Sequence, residues 1–454
     1  MTPNRGQVLL YGLPALPLAV MGVPMYIFLP GFYGETLGLA AVGAALLVAR
    51  LWDVVTDPLI GSLGDRLDTR WGRRRPLIAA GMPLLLVSAW ALFRPPADVG
   101  LAYLLGWGLA AYLGWTLMSL PYTAWGAELS EDYDRRASLT ASREGFMLAG
   151  TLLAIAWPTL MGAGRADAAT LAGLAWLLVI ALPVAVVITL WRVPEPRLSA
   201  HSVGWREGWA LLRGNRPFLR LLLAYVMNGL ANGLPASLFT LFVAHVLMAE
   251  AWTGPLLLVY FVTGIAALPG WLWLSRRIGK HRAWAVSMLW TSLVFLWVPF
   301  LGPGDTWAFL LICVLSGVGV AVDMALPAAI QADLVDLDTA RGGGRRTGLY
   351  FGIWNMATKL ALALAVGIAF PLLEIIGFDA TQVADRDGVL ALALFYGAVP
   401  VAFKLAATAL MWRFPHDRRA QTATRARVHD VEAAAAGTAS RRRSQRISPP
   451  TTGN

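Results

Sequence analysis

The sequence predicts an all-α membrane protein with about twelve transmembrane helices in two pseudo-symmetric six-helix bundles. Of its 454 residues, 57% are hydrophobic and only 14% are charged, whereas about one quarter of the residues in a soluble domain are charged. Apolar runs of about twenty residues, long enough to cross a hydrocarbon core about 30 Å thick, recur along most of the chain. Short motifs of the first half return in the second half, which indicates a duplicated unit.

The apolar runs define the predicted spans. These are residues 7–31, 37–63, 76–94, 99–127, 145–163, 170–191, 218–247, 252–275, 283–301, 306–333, 347–375 and 388–412. Because the first run is long and another span follows it at once, we expect no cleavable signal peptide. The only cysteine, Cys313, lies in an apolar run, so no disulfide is expected within the chain.

The basic residues predict the orientation of the chain. They cluster after the second, fourth, eighth and tenth spans, as Arg66, Arg70, Arg73, Arg74 and Arg75, then Arg135 and Arg136, then Arg276, Arg277, Lys280 and Arg282, and finally Arg341, Arg345 and Arg346. By the positive-inside rule, both termini of this multi-pass protein are expected on the cytoplasmic side of the inner membrane. The net charge of +10 then reflects topology, and no nucleic-acid partner is expected.

Two segments interrupt the hydropathy pattern. Residues 193–217 are predicted to be a cytoplasmic linker between an N-terminal bundle, residues 1–192, and a C-terminal bundle, residues 218–413. Residues 414–454 contain few large apolar side chains and are predicted to form a disordered basic tail in the cytoplasm. A weak attraction of this tail to anionic lipid is an alternative to simple solvation.

Three pairs of positions mark the duplication. They are Pro121 and Pro327, Glu128 and Asp333, and Gly72 and Gly279, at separations of 206, 205 and 207 residues. Duplicated six-helix units of transporters flank a site near the middle of the membrane and rock about it.

Three charged residues interrupt the second span: Arg50, Asp53 and Asp57. Each costs about 2.5–3.5 kcal/mol at the centre of a membrane, so such residues usually face an ion or substrate path. Spacings of three and four residues place all three on one helical face. Two facing carboxylates repel each other unless a proton, a metal cation or a basic side chain lies between them. A cation-coupling pair is therefore predicted, and a static salt bridge to Arg50 is the alternative.

The second span and the loop after it resemble a known family. The stretch Arg50–Pro58 reads RLWDVVTDP and Gly64–Arg75 reads GDRLDTRWGRRR. The loop is similar to a signature of the major facilitator superfamily. Together the two stretches resemble the glycoside-pentoside-hexuronide:cation symporters, the melibiose permease-like family. The stretch Ala332–Asp336 and Lys359 also match, and the resemblance covers roughly residues 7 to 413.

The resemblance implies a site for the coupling cation. Asp53 and Asp57 fall on the two coupling carboxylates of the family, Thr116 on a hydroxyl near the ion, and Lys359 on the lysine of the eleventh span. Carboxylate and hydroxyl oxygens suit a hard cation such as Na⁺. Lys359 would neutralise the carboxylates when no ion is bound. The coupling ion is expected to be Na⁺ or H⁺, and no other cofactor is expected.

The resemblance is weaker for the substrate. Galactoside-recognising members have acids where this chain has Pro14 or Leu13, and Ser119, so galactoside specificity is not expected. Arg143 matches the family arginine that opens the fifth span, and its alternative role is a positive-inside anchor. Asp323 in the tenth span would supply a substrate carboxylate or bond to a neighbouring helix.

Aromatic and gating residues complete the predicted site. Rings on cavity-lining spans would stack on a sugar or pack between helices; they are Tyr26, Tyr122, Trp125 and Trp354. Residues near the cytoplasmic ends of spans would form gate ion pairs or a merely solvated surface; they are Glu128, Asp134, Arg135 or Arg136, and Asp333, together with Arg50 from the second span.

These features predict a monomeric secondary symporter that couples Na⁺ or H⁺ to a sugar or glycoside by alternating access. Lysolipid symporters of the same wider group keep paired aspartates and a stretch like Pro121–Ala124, so a lysolipid or another amphiphile is the alternative cargo. An enzyme is not expected, since the histidines lie in or near loops and the tail and no HExxH motif is present.

Overall fold

The structure is a computed structural model that describes residues 3–29, 32–33, 42–96, 98–130, 132–161, 167–196, 213–341, 346–375 and 386–428. Within these residues the chain forms helices and connecting turns, and no strand is present there. The main helices are α1 (Arg5–Val23, broken at Leu13 and Pro14), α2 (Val42–Arg66), α3 (Arg75–Phe93), α4 (Leu101–Glu128), α5 (Tyr133–Leu160), α6 (Ala168–Arg192), α7 (Arg216–Leu241), α8 (Thr253–Ile278), α9 (Lys280–Phe295), α10 (Thr306–Ala340), α11 (Thr347–Ile375) and α12 (Arg386–Trp412).

Nine of the described helical segments are long and apolar enough to cross a membrane by length and composition. They contain α1, α3, α4, α6 to α10 and α12. Helix α2 has 25 residues, but Arg50, Asp53 and Asp57 interrupt its apolar sequence. The predicted all-α membrane fold is confirmed.

Apolar side chains form separate cores before and after residues 197–212, which lie outside the described part. One core contains buried residues between Val8 and Val193. Two others contain residues between Phe218 and Phe414, together with Ala137 of α5. The division of the chain into bundles at residues 193–217 stays a prediction.

The predicted duplication has a counterpart in backbone geometry. Gly72, in the turn between α2 and α3, has a φ of 108°, and Gly279, between α8 and α9, has a φ of 91°. Both values lie in the region that glycine adopts readily and other residues rarely adopt. The same kind of turn therefore occurs at both predicted positions.

Helices from the two parts of the chain cross at close range. Helix α2 packs against α11, and α5 packs against α8 and α10. At the first crossing, a Cβ added to Gly61 would lie 2.3 Å from the carbonyl oxygen of Gly348, and one added to Gly352 would lie 3.0 Å from that of Asp57. Gly348 and Gly352 form a GxxxG pair, which allows helix backbones to approach closely in a membrane. This contact brings the charged face of α2 to α11.

The segment after α12 differs from the prediction. Residues 418–428 are helical, so the prediction of disorder from residue 414 is wrong for this stretch. Arg418 forms an ion pair with Asp134 of α5 at 2.7 Å, and Arg425 forms one with Asp336 of α10 at 2.8 Å. These two contacts hold the short helix in place. Residues 429–454 of the predicted tail lie outside the described residues.

The α2–α11 crossing generates a stability prediction. Gly61→Ala should lower the free energy of unfolding by about 1–3 kcal/mol, because the added methyl group overpacks a backbone contact. The measurement is thermal unfolding in detergent. Gly106→Ala is the matched control, since a Cβ at that position of α4 meets no atom within 4 Å. Equal melting temperatures for Gly61→Ala and the parent protein would contradict the close crossing.

Candidate functional site

Two carboxylates and one ammonium meet where α2, α4 and α11 pack together. The Lys359 Nζ donates a hydrogen bond to Asp57 Oδ2 at 2.6 Å and also pairs with Asp53 Oδ2. The Thr116 hydroxyl lies 2.7 Å from Asp53 Oδ1 and 3.1 Å from Asp57 Oδ1. The structure thus brings together all four residues that the resemblance assigned to the cation.

The burial of this cluster sets its electrostatics. Asp53, Asp57 and Thr116 are almost fully buried, whereas 28% of the Lys359 side chain is exposed. With both carboxylates ionised and the lysine protonated, the cluster carries a net charge of −1, which is costly in a buried site. One bound monovalent cation or one proton would cancel it.

The oxygen atoms of the cluster suit a hard monovalent cation. The Thr116 hydroxyl has one proton and so donates to only one carboxylate at a time, while its lone pairs remain available. Among the described residues, no group of three or more His, Cys, Asp or Glu side chains is placed to hold a metal ion. A transition-metal centre therefore has no ligand set in the described part of the chain. Two carboxylates and a hydroxyl match the oxygen ligands that hard cations prefer.

Arg143 of α5 is paired within its own helix. Its Nε donates to Glu144 Oε1 at 3.0 Å, and its terminal nitrogen contacts the same oxygen. Both side chains are buried. A buried arginine satisfied by a carboxylate differs from the exposed anchor that was the alternative role. Glu144 was not among the predicted site residues, although it is an acid next to an intramembrane arginine.

Asp323 of α10 is held by three other helices. Lys404 of α12 donates to its Oδ2 at 2.7 Å, Trp284 of α9 to its Oδ1 at 3.1 Å, and Asn232 of α7 to its Oδ2 at 3.4 Å. Lys404 also donates to Asn228 at 2.9 Å. The structure therefore places Asp323 in helix packing, the alternative to a substrate role, and only Asn232 of this network is exposed. Lys404 was not among the predicted site residues, although a lysine within a membrane span is rare and usually has a charged partner or a functional role.

The aromatic candidates pack against protein. The Tyr122 ring lies 4.8 Å from that of Tyr11, and the Trp125 Nε1 donates to the carbonyl of Pro194 at 3.2 Å. Trp125 is nine residues beyond Thr116, or about 13 Å along the helix axis. Trp354 stacks on Tyr225 at 3.8 Å between ring centroids. All three rings are buried, so none offers a free face for a sugar in this conformation.

Three predicted residues add little to the observed site. The side chains of Tyr26 and Arg50 lie outside the described part of the structure. Ser119 is half-buried on α4. Its carbonyl accepts a hydrogen bond from Thr123 at 2.7 Å.

Ion pairs hold the bundle together at the end where α2, α4 and α10 stop and α3, α5 and α11 begin. We call this end the terminal side, because Arg418, beyond α12, also lies there. Arg74 binds Asp65 of α2 at 2.7 Å and Glu128 of α4 at 2.6 Å. Burial alone lowers the pKa of the Arg74 guanidinium, but the Glu128 and Asp65 carboxylates outweigh it and raise the pKa above its ordinary value.

Asp65 also connects α2 to α11. Its Oδ1 accepts from the N–H of Gly348 at 2.9 Å, and its Oδ2 from the N–H of Leu349 at 3.0 Å. A carboxylate at a helix N-terminus is favoured by the free N–H groups there. Helices α2 and α11 are thus joined about two turns beyond Asp57 and about three turns before Lys359.

A related network connects α5 to α10. Arg136 binds Asp333 at 3.1 Å and also pairs with Asp336. Lys280, which follows Gly279, binds Asp333 at 2.6 Å. The pairs therefore involve Arg136 rather than Arg135, which was the other predicted position. The contact between Lys280 and Asp333 resembles that between Arg74 and Glu128, since in each half a basic residue just after the glycine turn binds an acid near the end of the longer helix, although Lys280 is equivalent in position to Arg73.

Comparisons with known proteins show which family the chain belongs to. The sequence family described as MFS/sugar transport protein matches residues 10–418. A glucuronide carrier protein homolog of Escherichia coli is 25% identical over 422 residues, which cover 86% of this chain and 88% of that protein. A sodium-dependent lysophosphatidylcholine symporter of Danio rerio is 24% identical over 454 residues, which cover 90% and 85%.

A solved structure supports the fold. The fucose:proton symporter of E. coli superimposes with a TM-score of 0.64 at 14% identity, over 90% of this chain and 99% of that one. The family match spans most of the chain and confirms the resemblance drawn from the second span and its loop. The protein belongs to the MFS/sugar transport family, and so to the melibiose permease-like symporters of the major facilitator superfamily.

Proposed function

We propose that this protein is a secondary symporter in which a monovalent cation binds at Asp53 and Asp57 and displaces Lys359. The observation that carries the proposal is the contact of one ammonium with two buried carboxylates. This cluster lacks one positive charge, and Lys359 is its only partly exposed member. A cation that takes the carboxylates frees the lysine and changes the contact between α2 and α11.

Coupling follows from the position of this contact. Asp57 and Lys359 lie on the two helices that Asp65 also joins at the terminal side. If cation binding improves the substrate site, substrate binding raises the cation affinity by the same factor. Opening of the terminal side would separate Asp65 from α11 and Arg136 from α10. In this proposal the terminal side lies at the cytoplasmic face of the inner membrane. The pair of Asp134 and Arg418 lies on this side and belongs to the same gate.

A sugar or glycoside is the first candidate cargo, since a glucuronide carrier is among the relatives. Polar side chains near the middle of the helices would provide its hydrogen bonds. Arg143 and Glu144 on α5 and the exposed Asn232 on α7 have the required donors and acceptors. Arg143 also suits a carboxylate, because guanidinium binds planar anions in a two-pronged geometry.

A lysolipid or related amphiphile is the second candidate. The candidate rings Tyr122, Trp125 and Trp354 are all buried in packing, and a lysophosphatidylcholine symporter is among the relatives. Lys359, once displaced, would then face the charged headgroup of the lipid. The coupling ion is Na⁺ or H⁺ in either case.

Removal of either carboxylate should uncouple transport. In Asp53→Asn or Asp57→Asn, one carboxylate and Lys359 neutralise each other, so the net attraction for a cation is lost. We expect cation affinity and gradient-driven uptake in proteoliposomes to fall by at least about tenfold, as when a charged hydrogen-bond partner is lost. Asp68→Asn, in the exposed loop after α2, is the matched control. Normal concentrative uptake by both buried variants would refute the proposal.

The cargo is tested by competition. Proteoliposomes with imposed Na⁺ and pH gradients are given a labelled glucuronide or a labelled lysophosphatidylcholine, each with an excess of the other unlabelled compound. We expect glucuronide uptake that depends on one of the gradients and that Arg143→Lys lowers. Gradient-driven uptake of the lipid alone would replace the first candidate with the second. Uptake of neither compound would leave both cargoes unsupported.

The gate generates a stability prediction with a neighbouring control. Arg136→Gln leaves Asp333 and Asp336 buried with less positive charge, which should cost about 3–5 kcal/mol of the closed state. Arg135→Gln should cost at most about 1 kcal/mol, as for a partly exposed charge. Accessibility of single cysteines introduced on α10 to a maleimide measures the opening of the terminal side. Equal labelling rates in the two variants would contradict the assignment of the gate to Arg136.

A further inference from the structure

A strongly basic cavity lies on the terminal side, away from the cation cluster. Its volume is about 920 Å³, and it opens between the turn that joins α8 to α9 and the segment that follows α12. Six arginines line it: Arg276, Arg277, Arg282, Arg413, Arg418 and Arg419. Among the described residues, only Arg418 of these six has an ion-pair partner, Asp134 of α5. So many like charges around one space favour a bound anion.

The single acid in the cavity has another role. Asp417 caps the helix of residues 418–428, where its Oδ1 accepts from the N–H of Ala420 at 2.9 Å. This hydrogen bond is the main reason that the pKa of the Asp417 carboxyl is lowered. The Asp417 carboxylate therefore already accepts a hydrogen bond from the backbone. In addition, one carboxylate cannot neutralise six arginines.

A buried histidine points to a missing partner. His281 lines the cavity and is 5% exposed. Its Nδ1 has no hydrogen-bond partner in the part of the chain that the structure describes. A buried polar atom without a partner is costly and rare in folded proteins. A ligand with an oxygen atom in the cavity would satisfy it.

The first half of the chain shows what fills the corresponding place there. The segment after α6, Arg192–Pro196, reads RVPEP, and the segment after α12, Arg413–Asp417, reads RFPHD. Glu195 of the first segment accepts hydrogen bonds from three successive N–H groups in the turn after Gly72, at 2.6, 2.7 and 3.3 Å. A Cβ on Gly72 would lie 2.1 Å from Glu195 Oε2. A carboxylate therefore fills this turn.

The second half has no such carboxylate in the described residues. His416 takes the position of Glu195, and its Nε2 bonds to Gln421 Oε1 at 2.7 Å. A Cβ on Gly279 would meet nothing closer than 3.6 Å. The N–H of Lys280 in this turn donates to the Tyr133 hydroxyl at 2.9 Å. The rest of the turn, at the start of α9, faces an open basic cavity, and helix N-termini favour anions.

We propose that this cavity binds a phosphate group with two or more negative charges, in the place that Glu195 takes in the first half. Exposed Trp412 lines the cavity, and the exposed Trp273 ring lies 4.5 Å from the guanidinium of Arg277. Tryptophans at helix ends mark the membrane–water interface. An acidic phospholipid headgroup can reach the cavity from this interface, and a soluble polyphosphate can reach it from water.

Calorimetric titration of the purified full chain in detergent tests the site with two probes, cardiolipin and inorganic pyrophosphate, with phosphatidylcholine as the neutral lipid. We expect saturable binding of at least one phosphate probe, and none of phosphatidylcholine. Cardiolipin binding alone identifies a lipid site, and equal pyrophosphate binding identifies a site for free phosphate. Either outcome supports the phosphate chemistry and is independent of the transport proposal.

Matched variants distinguish binding in this cavity from nonspecific attraction of anions to basic residues. The double variant Arg282→Gln, Arg413→Gln should bind at least about tenfold more weakly, because two charge-assisted contacts are lost. Arg192→Gln, at the position equivalent to Arg413, should leave binding unchanged. These three arginines have no ion pair in the described residues, so their loss leaves no carboxylate unpartnered.

A third variant tests whether a carboxylate can take the place of the phosphate. His416→Glu places a carboxylate where the first half has Glu195 and should abolish binding. Arg419→Gln replaces the double variant if that protein does not fold. The proposal is overturned if neither phosphate probe binds saturably. It is also overturned if Arg192→Gln weakens binding as much as the double variant does.

Discussion

The contact of Lys359 with Asp53 and Asp57 places a shared buried charge at the crossing of α2 and α11. Charges within a membrane must be neutralised locally, and here one ammonium is shared by two acids. The contact forms only because glycines of α2 and α11 let the two backbones meet. The same two helices are joined again by Asp65, which accepts hydrogen bonds from the first N–H groups of α11.

The two buried charge networks differ in their balance. In the cluster of Asp53, Asp57, Thr116 and Lys359, two carboxylates share one ammonium, and that lysine is partly exposed. Around Asp323 every charge has a fixed partner, with hydrogen bonds from three helices. A saturated network of this kind stabilises packing, whereas an unsaturated one can exchange its partner for an ion. The sequence presents both as isolated intramembrane acids and does not distinguish them.

Much of the fold could be predicted because hydropathy and the paired motifs are local signals. The turns at Gly72 and Gly279 and the grouping of Asp53, Asp57, Thr116 and Lys359 agree with what the sequence indicated. Glu144 and Lys404 were not predicted, because only the folded structure shows that they pair with Arg143 and Asp323. The helix of residues 418–428 was missed because a short polar segment shows no apolar periodicity, and its order comes from Asp134 and Asp336, far away in the chain.

The aromatic predictions show a different limit. Spacing along a helix identifies which rings share a face, but not whether a neighbouring helix already covers them. Tyr122 and Trp354 lie on predicted cavity-lining helices, yet Tyr11 and Tyr225 cover them. Contacts of this kind between distant helices are not visible in the sequence.

The fixed pairing of Asp323 with Lys404 has a mechanical consequence. Because three helices donate to this buried carboxylate, α7, α9, α10 and α12 are joined at one point inside the bundle. Movement of one of these four helices away from the others would leave a buried charge without its partner, which is costly. The network therefore opposes rearrangement among α7, α9, α10 and α12.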